Sequence, residues 1–224
     1  MHIFLILQAN YQTYEIGLFS GNNCIDSFIE DKKYSSRDLI PTLTMILERN
    51  SYTLSDIAAF GVNQGPGPFT SLRVIITTAN GLAFATGIPL IGINGLEALL
   101  NENQDAQWPY TIALLNAFNN DVYFGIQSPV GFEIGCENSV ILLGNLKDRF
   151  PDTMIRFLGN ASGLLKNELI DVFGKNAHIQ DPLTEVCSLQ QLAIMTTAAY
   201  SKKELLDEQL LPIYLKNMRY AVQI

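Results

Sequence analysis

Between Gly61 and Arg73 the chain reads Gly-Val-Asn-Gln-Gly-Pro-Gly-Pro-Phe-Thr-Ser-Leu-Arg. Gly65 and Gly67 allow a tight backbone turn, Pro66 and Pro68 fix φ, and Thr70 or Ser71 is placed to cap a following helix. Free N–H groups at such a helix start suit an anion, so Gly65, Gly67, Thr70 and Ser71 are the candidate anion-binding residues. A rigid strand-to-helix corner accounts for the same residues without a ligand. The segment is not a P-loop, because no Gly-Lys-Ser/Thr follows, nor a dinucleotide fingerprint, because the third glycine is missing. Arg73 opposes the helix dipole by roughly a few tenths of a kcal/mol. It therefore either meets an anion or a partner's carboxylate, or snorkels over the surface.

Other reactive side chains are sparse. His2 and His178 are the only histidines, and no HxxxH occurs, so no metal site is expected. Cys24, Cys136 and Cys187 form no CxxC pair and have no histidine nearby in sequence. They are expected to be buried structural thiols of a reducing, cytoplasmic protein. A peptidase would need a Ser-His-Asp set or HExxH, and the sequence supports neither.

These residues must be held by a mixed α/β chain. Ile3–Leu7 is a solid apolar run, as expected of a strand buried on both faces. Thr13–Phe19 and Cys24–Glu30 follow, separated by the turn residues Ser20-Gly21-Asn22-Asn23. A helix carries Leu39, Ile40, Leu43, Ile46 and Leu47 at helical spacing, with Ser35 and Ser36 as its candidate caps. Strand Ile57–Val62, helix Thr70–Thr86, strand Ile88–Ile93 and a short helix Leu96–Leu100 complete the order βββαβαβα. Gly87 and Pro89 read as a helix C-cap and stop. They break the 23 uncharged residues between Arg73 and Glu97, so no membrane span is expected there.

Asn101–Pro109 reads as a boundary loop, and a second strand triplet follows at Thr111–Leu115, Val122–Gln127 and Phe132–Cys136. Leu7-Gln8-Ala9 matches Leu115-Asn116-Ala117, and Gly17 matches Gly125, both at an offset of 108. Two related halves are expected, 1–106 and 107–224. In the second half, Met154–Leu158 is a strand, Leu164–Phe173 a helix closed by Gly174, Leu189–Tyr200 a helix, and Pro212–Leu215 a short extended segment.

Composition bounds the function. With 224 residues, 48% of them hydrophobic, the chain is long enough for one or two packed cores and too apolar for disorder. Its net charge of −8 argues against gripping nucleic acid directly.

The segment Gly65–Arg73, then Thr78-Ala79-Asn80-Gly81-Leu82-Ala83, then Gly87–Leu99 closely resembles the TsaB (YeaZ) family. That family typically reads GPGSFTGLR, ATAKGLA and GIPLVGVSSLEAL. Ser36-x-x-Leu39-Ile40-Pro41 and Pro212–Lys216 extend the resemblance over most of the chain. It implies an actin-like, Hsp70-like (ASKHA) nucleotide-binding fold of two related βββαβα-type halves, the second reduced.

The resemblance also implies a non-catalytic scaffold of the tRNA threonylcarbamoyladenosine modification complex. Such a subunit binds a TsaD-like catalytic subunit, helps recruit a TsaE-like ATPase, and meets tRNA only indirectly; without the TsaD-like partner, homodimer and monomer are both open. Its partner surface would lie on the first two helices, at Leu39, Leu43 and Ile46, and at Arg73, Ile76, Ala79, Asn80 and Ala83. Arginine at an outward-facing Ala83 would then abolish binding without unfolding the chain.

Actin-like ATPases close the first strand of each half with an aspartate that positions magnesium. Gln8 and Asn116 stand at those places here, and a neutral amide cannot supply that charge. No cofactor is therefore expected. The rival readings are an active ATPase or sugar kinase of the same fold, and a peptidase or other hydrolase of the wider superfamily.

Overall fold

The structure is a computed structural model, and it describes residues 2–204 and 206–216. Eleven strands and seven α-helices are formed among the described residues. The first unit comprises Met1–Ala98 and Cys187–Ile213, the second Leu99–Val186 and Tyr214–Ile224. Each unit is thus built from two stretches of chain, which a single boundary at 106/107 does not describe.

The first unit opens with β1 (Ile3–Ala9), β2 (Thr13–Ser20) and β3 (Asn23–Asp31), a meander of antiparallel neighbours. After α1 (Ser35–Arg49), β4 (Ile57–Asn63) lies parallel to β1. α2 (Phe69–Thr86) then crosses to β5 (Leu90–Ile93), parallel to β4. A two-residue strand, β11 (Leu206–Asp207), pairs antiparallel with β5 and completes the sheet order β11-β5-β4-β1-β2-β3. The apolar run read at the N-terminus is buried over Phe4–Leu7, as a central strand requires.

The second unit repeats this plan. β6 (Thr111–Asn116), β7 (Asp121–Ser128) and β8 (Gly131–Asn138) form the meander, and β9 (Ile155–Leu158) and β10 (Ala177–Ile179) add parallel strands. The order β10-β9-β6-β7-β8 matches that of the first sheet without β11. Even the joint between meander and helix recurs. Asp26 on β3 pairs with Arg49, the last residue of α1. Glu133 on β8 pairs with Arg149, the last residue of α4 (Ser139–Arg149), at 2.6 Å.

The constant offset of 108 does not hold through the first hairpin. Gln8 faces Glu15, whereas Asn116 faces Val122, so the second hairpin is one residue shorter. Gly17 and Gly125 are therefore not equivalent in register. Two helix starts also differ from expectation. A 3₁₀ turn over Lys32–Tyr34 leads straight into α1, so neither Ser35 nor Ser36 caps it, and Ser35 Oγ donates back to the Lys32 carbonyl. The helix expected over Leu164–Phe173 is two, α5 (Asn160–Leu164) and α6 (Lys166–Phe173). Gly87 closes α2 in the left-handed conformation, as its position before Pro89 predicts. Two further helices, α3 (Gly95–Glu102) and α7 (Leu189–Lys202), complete the set. No helix among the described residues is long and apolar enough to cross a membrane.

Candidate functional site

The carboxyl end of β1 carries a closed polar network. Gln8 is fully buried, and its amide nitrogen donates to Glu15 Oε2 at 2.7 Å and to the Cys187 carbonyl at 3.0 Å. Its oxygen accepts from Asn63 Nδ2 at 3.2 Å. Asn10 supports the same carboxylate, donating to Thr13 Oγ1 at 2.7 Å and to Glu15 Oε1 at 3.2 Å. Glu15 is delivered from β2 because it is the cross-strand neighbour of Gln8. Burial pushes its carboxyl above the ordinary 4.5, against the hydrogen bonds from Gln8, Thr13 and Asn10. In the second unit, Asn116 N–H donates to Asn160 Oδ1 at 3.0 Å, and Asn116 Oδ1 accepts from Phe118 N–H at 2.8 Å.

The network continues into the glycine-rich corner. Asn63 Oδ1 accepts from Gly65 N–H at 2.8 Å, and Gly95 N–H donates to the Gly65 carbonyl at 2.7 Å. Gly65 has φ +92°, and a Cβ there would come within 2.7 Å of the Leu72 side chain. Its N–H thus serves the chain's own turn rather than an anion. Helix α2 begins at Phe69 with Pro68 at the N-cap, so neither Thr70 nor Ser71 caps it. Gly67 is half-buried, Thr70 exposed and Ser71 buried. Arg73 places its guanidinium carbon 3.8 Å from the centre of the Phe69 ring, one helical turn back.

Helices α1 and α2 pack against each other. Their inward faces hold most of the residues that the sequence assigns to a partner surface. Leu39, Leu43, Ile46, Ile76, Ala79 and Ala83 all lie in the first unit's own core. Apolar residues at helical spacing mark the face that packs on the sheet, and these six do so in the chain by itself. Asn80 is also used internally: its amide donates to the Leu210 carbonyl and accepts from the Leu210 N–H, both at 2.9 Å. Of the assigned set, Arg73 faces outward. The outward apolar residues are Ile40 and Met45 on α1, and Phe69 and Phe84 on α2, with Phe84 93% exposed. Thr77 and Gly81 lie between the two phenylalanines on the same exposed stripe, and a Cβ added at Gly81 meets open space.

Residues 30–201 match the family model described as TsaD, tRNA N6-adenosine threonylcarbamoyltransferase. The chain belongs to this family. A Clostridium botulinum tRNA N6-adenosine threonylcarbamoyltransferase is 49% identical over 57 residues, 25% of this chain and 17% of that protein. A Haemophilus influenzae protein named tRNA threonylcarbamoyladenosine biosynthesis protein TsaB is 30% identical over 108 residues, 48% of this chain and 45% of that protein. These matches span less than half the length of either relative. Among solved structures, a Pseudomonas aeruginosa protein with similarity to peptidase YeaZ superposes with a TM-score of 0.73 at 19% identity. The superposition covers 96% of this chain and 100% of that one. A Bacteroides thetaiotaomicron protein with an actin-like ATPase fold gives 0.52 at 10% identity, over 87% and 96% of the two chains. The resemblance to TsaB (YeaZ) proteins and the actin-like fold read from the sequence both stand.

Magnesium is the ion this fold family implies, and the residues at the ends of β1 and β6 do not fit it. A magnesium ion takes anionic or carbonyl oxygens turned toward it. Gln8 instead commits both amide hydrogens and its oxygen to neighbours within the chain, and Asn116 Oδ1 accepts from Phe118. The carboxylate nearest this position is Glu15, across the hairpin, and neutral amides and a hydroxyl hold it.

Sequence reasoning singled out Gln8, placed Asn80 on a partner surface rather than against Leu210, and did not single out Glu15 or Asn63. The available signal was a strand-end amide set directly across a hairpin from an otherwise unexplained glutamate. Because the Glu15 carboxyl binds its proton more tightly folded than unfolded, it supports stability below the ordinary carboxylate range. That support is lost as pH rises through its raised value. The melting temperature of the wild-type chain minus that of Glu15→Gln is therefore expected to fall with rising pH above about 4.5. A pH-independent difference in thermal melts contradicts the assignment.

Proposed function

We propose that this chain is a non-catalytic scaffold subunit of the tRNA threonylcarbamoyladenosine modification complex, binding a TsaD-like catalytic subunit and helping recruit a TsaE-like ATPase. Family membership supports the pathway. The observation that carries the scaffold role is the outward α1/α2 face. It exposes Ile40 and Met45 on α1, and Phe69 and Phe84 on α2, where Arg73 is the single charge within the helix. Large apolar side chains exposed on two adjacent helices suit another helical pair. The self-satisfied Gln8 network supports the absence of phosphoryl-transfer chemistry in this chain, as does Glu15 turned into it. Contact with tRNA is then made through partners, consistent with the net charge of −8.

Co-purification with the same organism's TsaD-like and TsaE-like proteins, with and without ATP, tests the reading. A stable pair with the TsaD-like protein, joined by the TsaE-like protein when ATP is present, is the expected result. Modification of tRNA that proceeds equally well without this chain overturns it. ATP turnover by the chain alone favours the kinase or ATPase reading instead.

A further inference from the structure

Helix α2 exposes two phenylalanines, and the chain completes the chemistry of only one. Phe69 at the helix start is covered by Arg73. Phe84, near the helix end, has Asn80 one turn before it and Ile88 one turn after, and among the described residues no cation lies over its ring. It stands instead at a cavity of about 330 Å³ lined by Ala83, Phe84, Ile88, Leu206, Asp207 and Glu208, among others.

The lining residues are apolar apart from Asp207 and Glu208. Neither Asp207 nor Glu208 has an ion-pair partner among the described residues. Helix α2 carries no basic residue in its last turn, so the negative end of its dipole adds to the same potential. An open aromatic face, an apolar hollow and two unpaired carboxylates together match one kind of group, a planar cation on an aliphatic stem. Arginine satisfies all three features: the stem fills the hollow, the guanidinium stacks on the ring, and its fork pairs with carboxylates. A lysine would offer a point charge without the stacking plane.

Resting on the scaffold reading above, we propose that this cavity is the socket for one arginine side chain of the TsaD-like partner. The guanidinium stacks on Phe84 and pairs with Asp207 and Glu208. Phe84 belongs to the same outward stripe as Phe69, Thr77 and Gly81, so a helix lying along α2 reaches the socket at its far end. The stripe then carries opposite charges at its two ends, Arg73 near the start and the carboxylates near the finish. That polarity fixes the direction in which a partner helix can lie.

Calorimetric titration of the TsaD-like protein into the full chain, at low and high salt, tests the socket. The double variant Asp207→Asn/Glu208→Gln is expected to bind about tenfold more weakly at low salt, with a smaller salt dependence than wild type. Phe84→Leu, which keeps the apolar contact but removes the stacking plane, is expected to bind about threefold to tenfold more weakly. All three substituted side chains are exposed, and unchanged thermal melts confirm intact folds. Wild-type affinity and salt dependence in the double variant overturn the socket and leave the scaffold reading standing. No binding by wild type overturns both. If the double variant instead loses self-association while keeping partner affinity, the occupant is Arg73 of a second copy, and the proposal is likewise overturned.

Discussion

Gly81→Arg is expected to abolish binding of the TsaD-like partner while leaving the chain as stable as before, or slightly more so. A side chain at this position meets no atom within 4 Å, so the fold accepts it. Replacing an exposed helical glycine removes a helix penalty of about 0.5–1 kcal/mol. A bulky cation in the middle of a helix-to-helix seam, by contrast, prevents close approach, and a loss on the order of 100-fold is expected. Ala83→Arg, two residues on, should behave in the opposite way. Ala83 is 6% exposed and belongs to the first unit's core, so the substitution overpacks it and buries a charge. The expected cost is about 3 kcal/mol or more of stability, and any loss of binding then follows from unfolding. Thermal melts together with partner titration separate the two variants. Normal partner binding by a folded Gly81→Arg chain removes α2 from the interface.

That contrast also shows where the sequence was informative. Strand positions announced themselves because a two-faced burial leaves an uninterrupted apolar run, as in Ile3–Leu7, and because Gly21 and Gly87 mark turns only glycine adopts cheaply. The repeated triplet of strands gave the two-unit plan, and the observed sheet orders repeat it strand for strand apart from β11. Which side of α2 faces out was not legible. Leu72, Val74, Ile75, Ile76, Leu82 and Phe84 place apolar groups around much of the helix, so periodicity alone does not choose a face. Helix α4 escaped notice for a related reason: Val-Ile-Leu-Leu followed by Gly144 reads equally as a short strand and turn. The internal role of Asn80 was not legible because Leu210, which it holds, lies 130 residues away and offers only backbone atoms. The two-residue β11 is too short to leave a pattern of its own.

A site that has merely decayed leaves its replaced residue loosely held, and restoring the original charge would then be tolerated. Gln8 is instead held by three hydrogen bonds in a fully buried position, and each involves a group with its own need for a partner. Gln8→Leu keeps the volume roughly but removes a donor from Glu15 Oε2, a donor from the Cys187 carbonyl and the acceptor of the Asn63 amide. A loss of about 3 kcal/mol or more is expected, because each buried polar group left unsatisfied costs about 1–3 kcal/mol. Gln8→Asp returns the charge that actin-like ATPases carry there, and is expected to do no better. It offers no hydrogen to Glu15 and sets two carboxylates at paired positions of adjacent strands, where one must take up a proton or repel the other. Chemical denaturation should therefore rank Gln8→Asp with Gln8→Leu, and calorimetry with ATP and Mg²⁺ should show no new heat. A Gln8→Asp chain with wild-type stability and measurable magnesium-dependent nucleotide binding would falsify the view that the Gln8–Glu15 network excludes a metal-binding carboxylate at this position.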